Sequence, residues 1–119
     1  PCTTEQLIAA TIEAACETGA AVAAQPMTDT IKETADGQTI ARNVDRSKLW
    51  AVQTPQTFRV EVIRRALSEV RARKLHVTDD TTACELIGQP VRLVASAAPN
   101  PKVTLPADLP YVGLLLAQM

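Results

Sequence analysis

The sequence predicts a mixed α/β layer fold from which a polar arm protrudes. Three observations carry this reading. A helix-period pattern runs directly into a short apolar stretch, Ala20 to Ala24. A polar, loosely alternating stretch surrounds Asp36-Gly37. A second, charge-laced helical pattern covers residues 59–73. A helix leading into a strand that is apolar on both faces is half of a wound α/β unit.

The first helix is expected over about residues 4–17, with Thr3 as its cap and Gln6 completing a capping box. Leu7, Ile8, Ala10, Ile12, Ala14 and Ala15 recur at helical spacing, and Gly19 is the stop signal. From Pro26 to Arg46 the texture changes. Thr28 to Thr34 and Thr39 to Val44 alternate loosely, and Asp36-Gly37 between them is a two-residue hairpin signal. Such a hairpin has too few apolar side chains to hold itself down, because isolated two-stranded ribbons are marginal in water. It lies on its own domain or packs on a second subunit; an ordinary surface hairpin fits the pattern equally well.

The stretch from Val44 to Phe58 holds the only Trp and the only Phe in a chain that is 3% aromatic. Pro55 removes a backbone donor and biases Thr54 towards an extended conformation, so this is strand or extended crossing rather than helix. Scarce large side chains gathered beside Arg46 fit a shaped site, and they fit a buried corner with a surface arginine as well. In the second helix Val60, Ile63, Ala66, Leu67 and Val70 form one stripe, and Glu61/Arg65 and Glu69/Arg73 stand at the favoured i,i+4 spacing. Its arginines read as a solvated face in preference to a phosphate-binding one. Thr78 or Asp79 caps a short third helix ending at Gly88. Pro90 to Ala95 reads as a strand, Lys102 to Thr104 as a short extended piece, and a last helix opens near Pro106.

Composition excludes several classes. The 119 residues are one domain or part of one. A formal net charge of −1 gives no nucleic-acid-binding surface, and no apolar run is long enough for a membrane. Three widely spaced cysteines and a single histidine cannot build a zinc site, and they read as free thiols in a reducing cytoplasm. Asp79-Asp80 alone is weak evidence for a metal site. The chain does not begin with Met, as expected of a fragment or a trimmed chain.

Four ordered motifs then resemble one family. Val44-Asp45-Arg46-Ser47-Lys48-Leu49-Trp50 with Gln53-Thr54-Pro55-Gln56-Thr57-Phe58 is similar to the signature of the 2-C-methyl-D-erythritol 4-phosphate cytidylyltransferases of non-mevalonate isoprenoid biosynthesis. Pro26 to Lys32 resembles that family's arm entry, and Val77-Thr78-Asp79-Asp80 resembles its Thr-Asp-Asp/Glu helix start. Asn100 to Leu109 resembles its Asn-x-Lys-Val-Thr-x-Pro-x-Asp-Leu ending, with Pro101 standing where an aliphatic residue is usual.

The resemblance implies a Rossmann-like nucleotidyltransferase layer fold of which residues 1–119 are the C-terminal portion of a single domain, with the arm at about residues 26–47. It implies a homodimer formed through the hairpin arms. Thr30 and Arg46 would bind methylerythritol phosphate in the partner's site, Lys102 would be the catalytic residue beside the reacting phosphates, and Mg²⁺ would bridge the phosphates of CTP. The family's Gly-rich triphosphate loop has no counterpart here, since Gly19, Gly37, Gly88 and Gly113 are all isolated. The chain is therefore expected to be the C-terminal half of an enzyme and inactive alone. A ribitol 5-phosphate cytidylyltransferase is the nearest alternative, and a non-catalytic dimerisation module is the alternative of another class.

Overall fold

A computed structural model describes residues 1–119. The elements run α1 (Glu5–Thr18), β1 (Ala20–Pro26), β2 (Ile31–Glu33), β3 (Arg42–Val44), a 3-10 turn (Arg46–Lys48), β4 (Trp50–Phe58), α2 (Val60–Ala72), α3 (Asp80–Leu86), β5 (Arg92–Ala95), a second 3-10 turn (Pro106–Asp108) and α4 (Leu109–Ala117). β1 is the centre of a three-stranded mixed sheet. It pairs antiparallel with β4 on one side and parallel with β5 on the other. β2 and β3 form a separate antiparallel ribbon.

The fold grows out of β1. Ala20, Ala21, Ala23 and Ala24 are fully buried and Val22 nearly so. Small side chains on both faces let helices approach the sheet closely from either side. On one face Ala20 packs with Val62, Ala66, Ala83 and Cys84 of α2 and α3. On the other, Ala21 packs with Ala14 and Ala15 of α1. The result is helix, sheet and helix in three layers. Thr11 is buried within this packing and satisfied, since its hydroxyl donates to Ile8 O at 2.9 Å and accepts from Thr57 Oγ1 at 3.0 Å.

Gly19 turns α1 into β1. Its φ of 96° is the left-handed conformation that favours glycine, and its N–H closes on Ala15 O at 2.8 Å. A Cβ there would also stand 2.9 Å from Gln89 Nε2, which donates to Thr18 O at 2.7 Å and ties the end of α1 to the entry of β5.

Several local expectations are corrected. Thr4, not Thr3, caps α1, its hydroxyl accepting from Leu7 N at 3.2 Å; the Thr3 hydroxyl instead reaches Asn100. The Asp36-Gly37 two-residue turn does not form. β2 and β3 are joined by residues 34–41, because the Asp36 carboxylate gathers Gln38 N, Thr39 N and the Thr34 hydroxyl into a wider loop. Those contacts hold the Asp36 carboxyl below its usual range, the Thr39 and Gln38 N–H groups foremost. Of the two i,i+4 pairs on α2, only Glu69–Arg73 is made. The stretch from Lys102 to Thr104 is irregular, and α4 is entered through a 3-10 turn. Cys2, Cys16 and Cys84 are unpaired, with burial and the nearby Asp80 carboxylate pushing the Cys84 thiol up. No helix is long and apolar enough to cross a membrane.

Candidate functional site

The irregularity in β4 makes the site. Val22 faces Gln56 and Ala24 faces Val52, so two steps along β1 match four along β4. The surplus lies at Gln53-Thr54-Pro55, where Pro55 has no N–H for the ladder. Thr54, Pro55 and Gln56 are thereby pushed out into one wall of a polar cleft of about 510 Å³. Thr78, Asp79 and Asp80, at the start of α3, form a second wall. Lys102, from the segment after β5, closes the third. Three segments distant in sequence meet here because β4, α3 and β5 all pack around β1.

Buried side chains pin the walls. Asn100 is 4% exposed; its Nδ2 donates to Thr54 O at 2.6 Å and its Oδ1 accepts from Thr3 Oγ1 at 3.4 Å. Gln53 is buried and donates to Gln25 Oε1 at 3.0 Å, while Gln25 Nε2 reaches Ser96 O and Ala98 O at 3.3 and 3.2 Å. Gln56 Nε2 donates back to Gln53 O at 3.3 Å. One amide network therefore joins the bulge of β4, the end of β1 and the loop that leads to Lys102.

Asp79 serves the fold and the cleft together. Its Oδ1 accepts from Thr82 N, Thr82 Oγ1 and Thr81 Oγ1 at 2.9, 2.9 and 2.8 Å, capping α3. Partial burial acts to raise its carboxyl, but these bonds and the Lys102 charge outweigh burial and hold it below the ordinary value. Its Oδ2 is left for the cleft. Lys102 is exposed and makes no ion pair within the chain. The cleft thus offers carboxylate acceptors, threonine hydroxyls and one ammonium donor. That set suits a ligand with several hydroxyls and at least one anionic group.

Thr30 and Arg46 lie elsewhere. The Ile31–Val44 register, continued by one residue, sets Thr30 opposite Asp45 and beside Arg46 at the root of the ribbon. Both are exposed. Arg46 Nη1 donates to Thr28 O at 2.6 Å, closing that root. Asp45 does not pair with Arg46; its carboxylate caps the 3-10 turn through Ser47 N at 3.0 Å and Ser47 Oγ at 2.7 Å, which hold it below its usual range. Neither Thr30 nor Arg46 lines the cleft that Lys102 lines. Of the three residues singled out in the sequence, the structure brings two together and leaves the third apart. The sequence pattern gives Thr54 and Thr78 backbone and capping roles, and gives Asp79 a capping role or a weak metal-site one. Their presence in two motifs that meet Lys102's own was the available signal.

Known proteins are similar to this chain over nearly its whole length. The family model for 2-C-methyl-D-erythritol 4-phosphate cytidylyltransferase matches residues 1–118. The enzyme of that name from Synechococcus sp. (strain WH7803) is 45% identical over 106 residues, which are 89% of this chain and 48% of the relative. A bifunctional IspD/IspF enzyme from Desulforudis audaxviator is 43% identical over 98% of this chain and 29% of its own length. Among solved structures, the cytidylyltransferase from Thermus thermophilus superimposes with a TM-score of 0.84 at 35% identity, covering 98% of this chain and 57% of that one. This chain spans about half the length of the single-function relatives it matches. It belongs to the 2-C-methyl-D-erythritol 4-phosphate cytidylyltransferase family.

Proposed function

We propose that residues 1–119 are the C-terminal portion of a nucleotidyltransferase domain that transfers a cytidylyl group from CTP to 2-C-methyl-D-erythritol 4-phosphate and releases pyrophosphate. The observation that carries this reading is the convergence on one polar cleft of Thr54, Thr78, Asp79 and Lys102, each from a motif of the matched family. The partial length supports the rest. α4 is apolar almost all round yet buries only Val112, with Leu109, Leu114 and Met119 among its exposed neighbours. Such a surface fits an interface with further chain.

In the reaction an oxygen of the acceptor phosphate attacks the α-phosphorus of CTP. A new P–O bond forms, the bond to the β-phosphate oxygen breaks, and pyrophosphate leaves with the electron pair. Both reactants are anionic, so catalysis is positioning plus neutralisation of charge. Lys102 brings a mobile ammonium to the phosphates from the cleft wall. The free oxygen of Asp79, with the hydroxyls of Thr54 and Thr78, receives and orients the polyol hydroxyls.

The cleft sets two carboxylates against one ammonium, so further positive charge must come from outside it. We infer that a second copy supplies part of it in a homodimer. Arg46, on the arm of that copy, offers a planar fork to the acceptor phosphate, and Thr30 beside it offers a hydroxyl. A divalent cation, Mg²⁺, held through the triphosphate would neutralise part of the phosphate charge. This chain has no cluster of three carboxylate, imidazole or thiol ligands, and its own residues do not form a cage for the ion.

The test is pyrophosphate release by the full-length protein with CTP, Mg²⁺ and either methylerythritol 4-phosphate or ribitol 5-phosphate. Turnover with the first acceptor alone is expected. Turnover with ribitol phosphate alone would transfer the activity to that acceptor. Silence with both would reduce the chain to a dimerisation module.

A further inference from the structure

Lys102 sits on a segment without regular structure, and it is exposed. A long, flexible ammonium on an irregular segment is a poor catalyst unless its backbone is fixed, because misplacement by about 1 Å costs on the order of 100-fold in rate. Two side chains fix it here. On the N-terminal side, buried Asn100 donates to Thr54 O at 2.6 Å. Thr54 belongs to the opposite wall of the cleft, so this bond sets the distance across it. On the C-terminal side, Asp108 Oδ2 accepts from Thr104 N and Leu105 N, both at 2.9 Å. Those two N–H groups otherwise have no partner in the chain. Lys102 stands between the two clamps, two residues from each clamped stretch.

We propose that Asn100 and Asp108 are positioning residues for Lys102, with Asn100 gauging the width of the cleft and Asp108 holding the far side of the segment. Neither lines the cleft. The first clamp also explains a burial that packing alone does not, since Asn100 is a polar residue in a loop yet more buried than most of the strand before it. This inference rests on the reading that Lys102 acts on the phosphates, and the two fail in different ways.

The experiment is a double-mutant cycle in the full-length protein, read as kcat for pyrophosphate release and KM for CTP. Asn100→Ala is expected to lower kcat by about 10- to 100-fold and to move the CTP KM by less than about twofold. In a Lys102→Ala background the same change should cost less than about threefold, because a residue that works through Lys102 has nothing left to position. Asp108→Ala, at a less buried position, repeats the cycle if Asn100→Ala impairs folding; a loss of about three- to tenfold that shrinks in the Lys102→Ala background is expected. Equal factors in the two backgrounds would make both residues merely structural and overturn the inference while leaving Lys102 in its role. An unchanged kcat in Lys102→Ala itself would overturn the inference and the underlying reading together.

Discussion

The cleft and the arm are built in opposite ways. The cleft joins segments far apart in sequence, and its walls are tied by buried amides: Asn100 to Thr54, Gln53 to Gln25, and Gln25 to the Ser96–Ala98 turn. The arm is tied mainly to itself. Asp36 gathers its own loop, Glu33 pairs with Arg42, Asp45 holds Ser47, and Arg46 closes on Thr28. No arm residue enters the core. A site whose walls are fixed by long-range contacts is pre-organised within one chain. A polar ribbon with its own internal bonds and no cover leaves its side chains to solvent. The difference teaches that Lys102 belongs to a wall fixed by the chain's own contacts, whereas Thr30 and Arg46 stand exposed on a ribbon that the core does not cover.

The largest expected effect breaks the cleft's chemistry without touching its walls. Lys102→Ala in the full-length protein should lower kcat by about 100- to 1,000-fold, in the range for removing one preorganised charge donor. The melting temperature should move little, because Lys102 makes no ion pair in the chain and lends only its charge to Asp79. Arg46→Ala should act on a different parameter. A charge-assisted bond to phosphate is lost, so the acceptor KM should rise by about 10- to 100-fold and by more than the CTP KM. Arg46→Lys should recover little of this, since the planar fork is what the phosphate meets. Equal effects on both KM values would remove Arg46 from the acceptor site.

Stability separates the two regions again. Gln53→Ala leaves the Gln25 carbonyl without its buried donor and should cost about 1–3 kcal/mol in chemical denaturation. Asp36→Ala opens only the loop at residues 34–41; the denaturation midpoint should hold while limited proteolysis of that loop accelerates. A further stability effect is pH-dependent. Because the folded state holds the Asp79 carboxyl below its unfolded value, its cap contributes stability that is fully present above the ordinary carboxylate range, near pH 4. That contribution is lost as pH falls through the lowered value. Asp79→Ala should therefore cost about 1 kcal/mol at pH 7, with the gap from wild type closing in acid. Asp79→Asn, which can still cap, should lose the acid dependence and little of the stability at pH 7.

The sequence made the regular parts of this molecule legible. An unbroken run of small apolar residues marked β1, the 3.6-residue stripe marked α2, and Gly19 marked the end of α1 within one residue. The motifs single out Thr30, Arg46 and Lys102, of which the structure sets Lys102 in the cleft. What stayed hidden depends on partners distant in the chain. The bulge in β4 arises from its register against β1, which no local pattern encodes. Asn100 looked like part of a Pro-flanked loop, and its burial depends on Thr54, 46 residues earlier. Gln25 and Gln53 have polar side chains in apolar strands, which is a signal of conflict but not of the partner. Asp36-Gly37 misled because an aspartate that can accept three bonds favours a wider loop over the tight turn its neighbour permits.

The central claim is that one copy's cleft works with another copy's arm, and subunit mixing tests it most directly. Full-length Lys102→Ala and full-length Arg46→Ala are unfolded together, refolded at equal ratio and assayed for pyrophosphate release with CTP and with methylerythritol phosphate held below the wild-type KM, where each variant alone is nearly silent. If Arg46 serves the partner's cleft, each mixed dimer contains one site with both residues intact, and random pairing restores about a quarter of wild-type activity. In a site built within one chain, every mixed dimer would carry two damaged sites. Activity no higher than that of the separate variants, with mixed dimers present, would contradict the account.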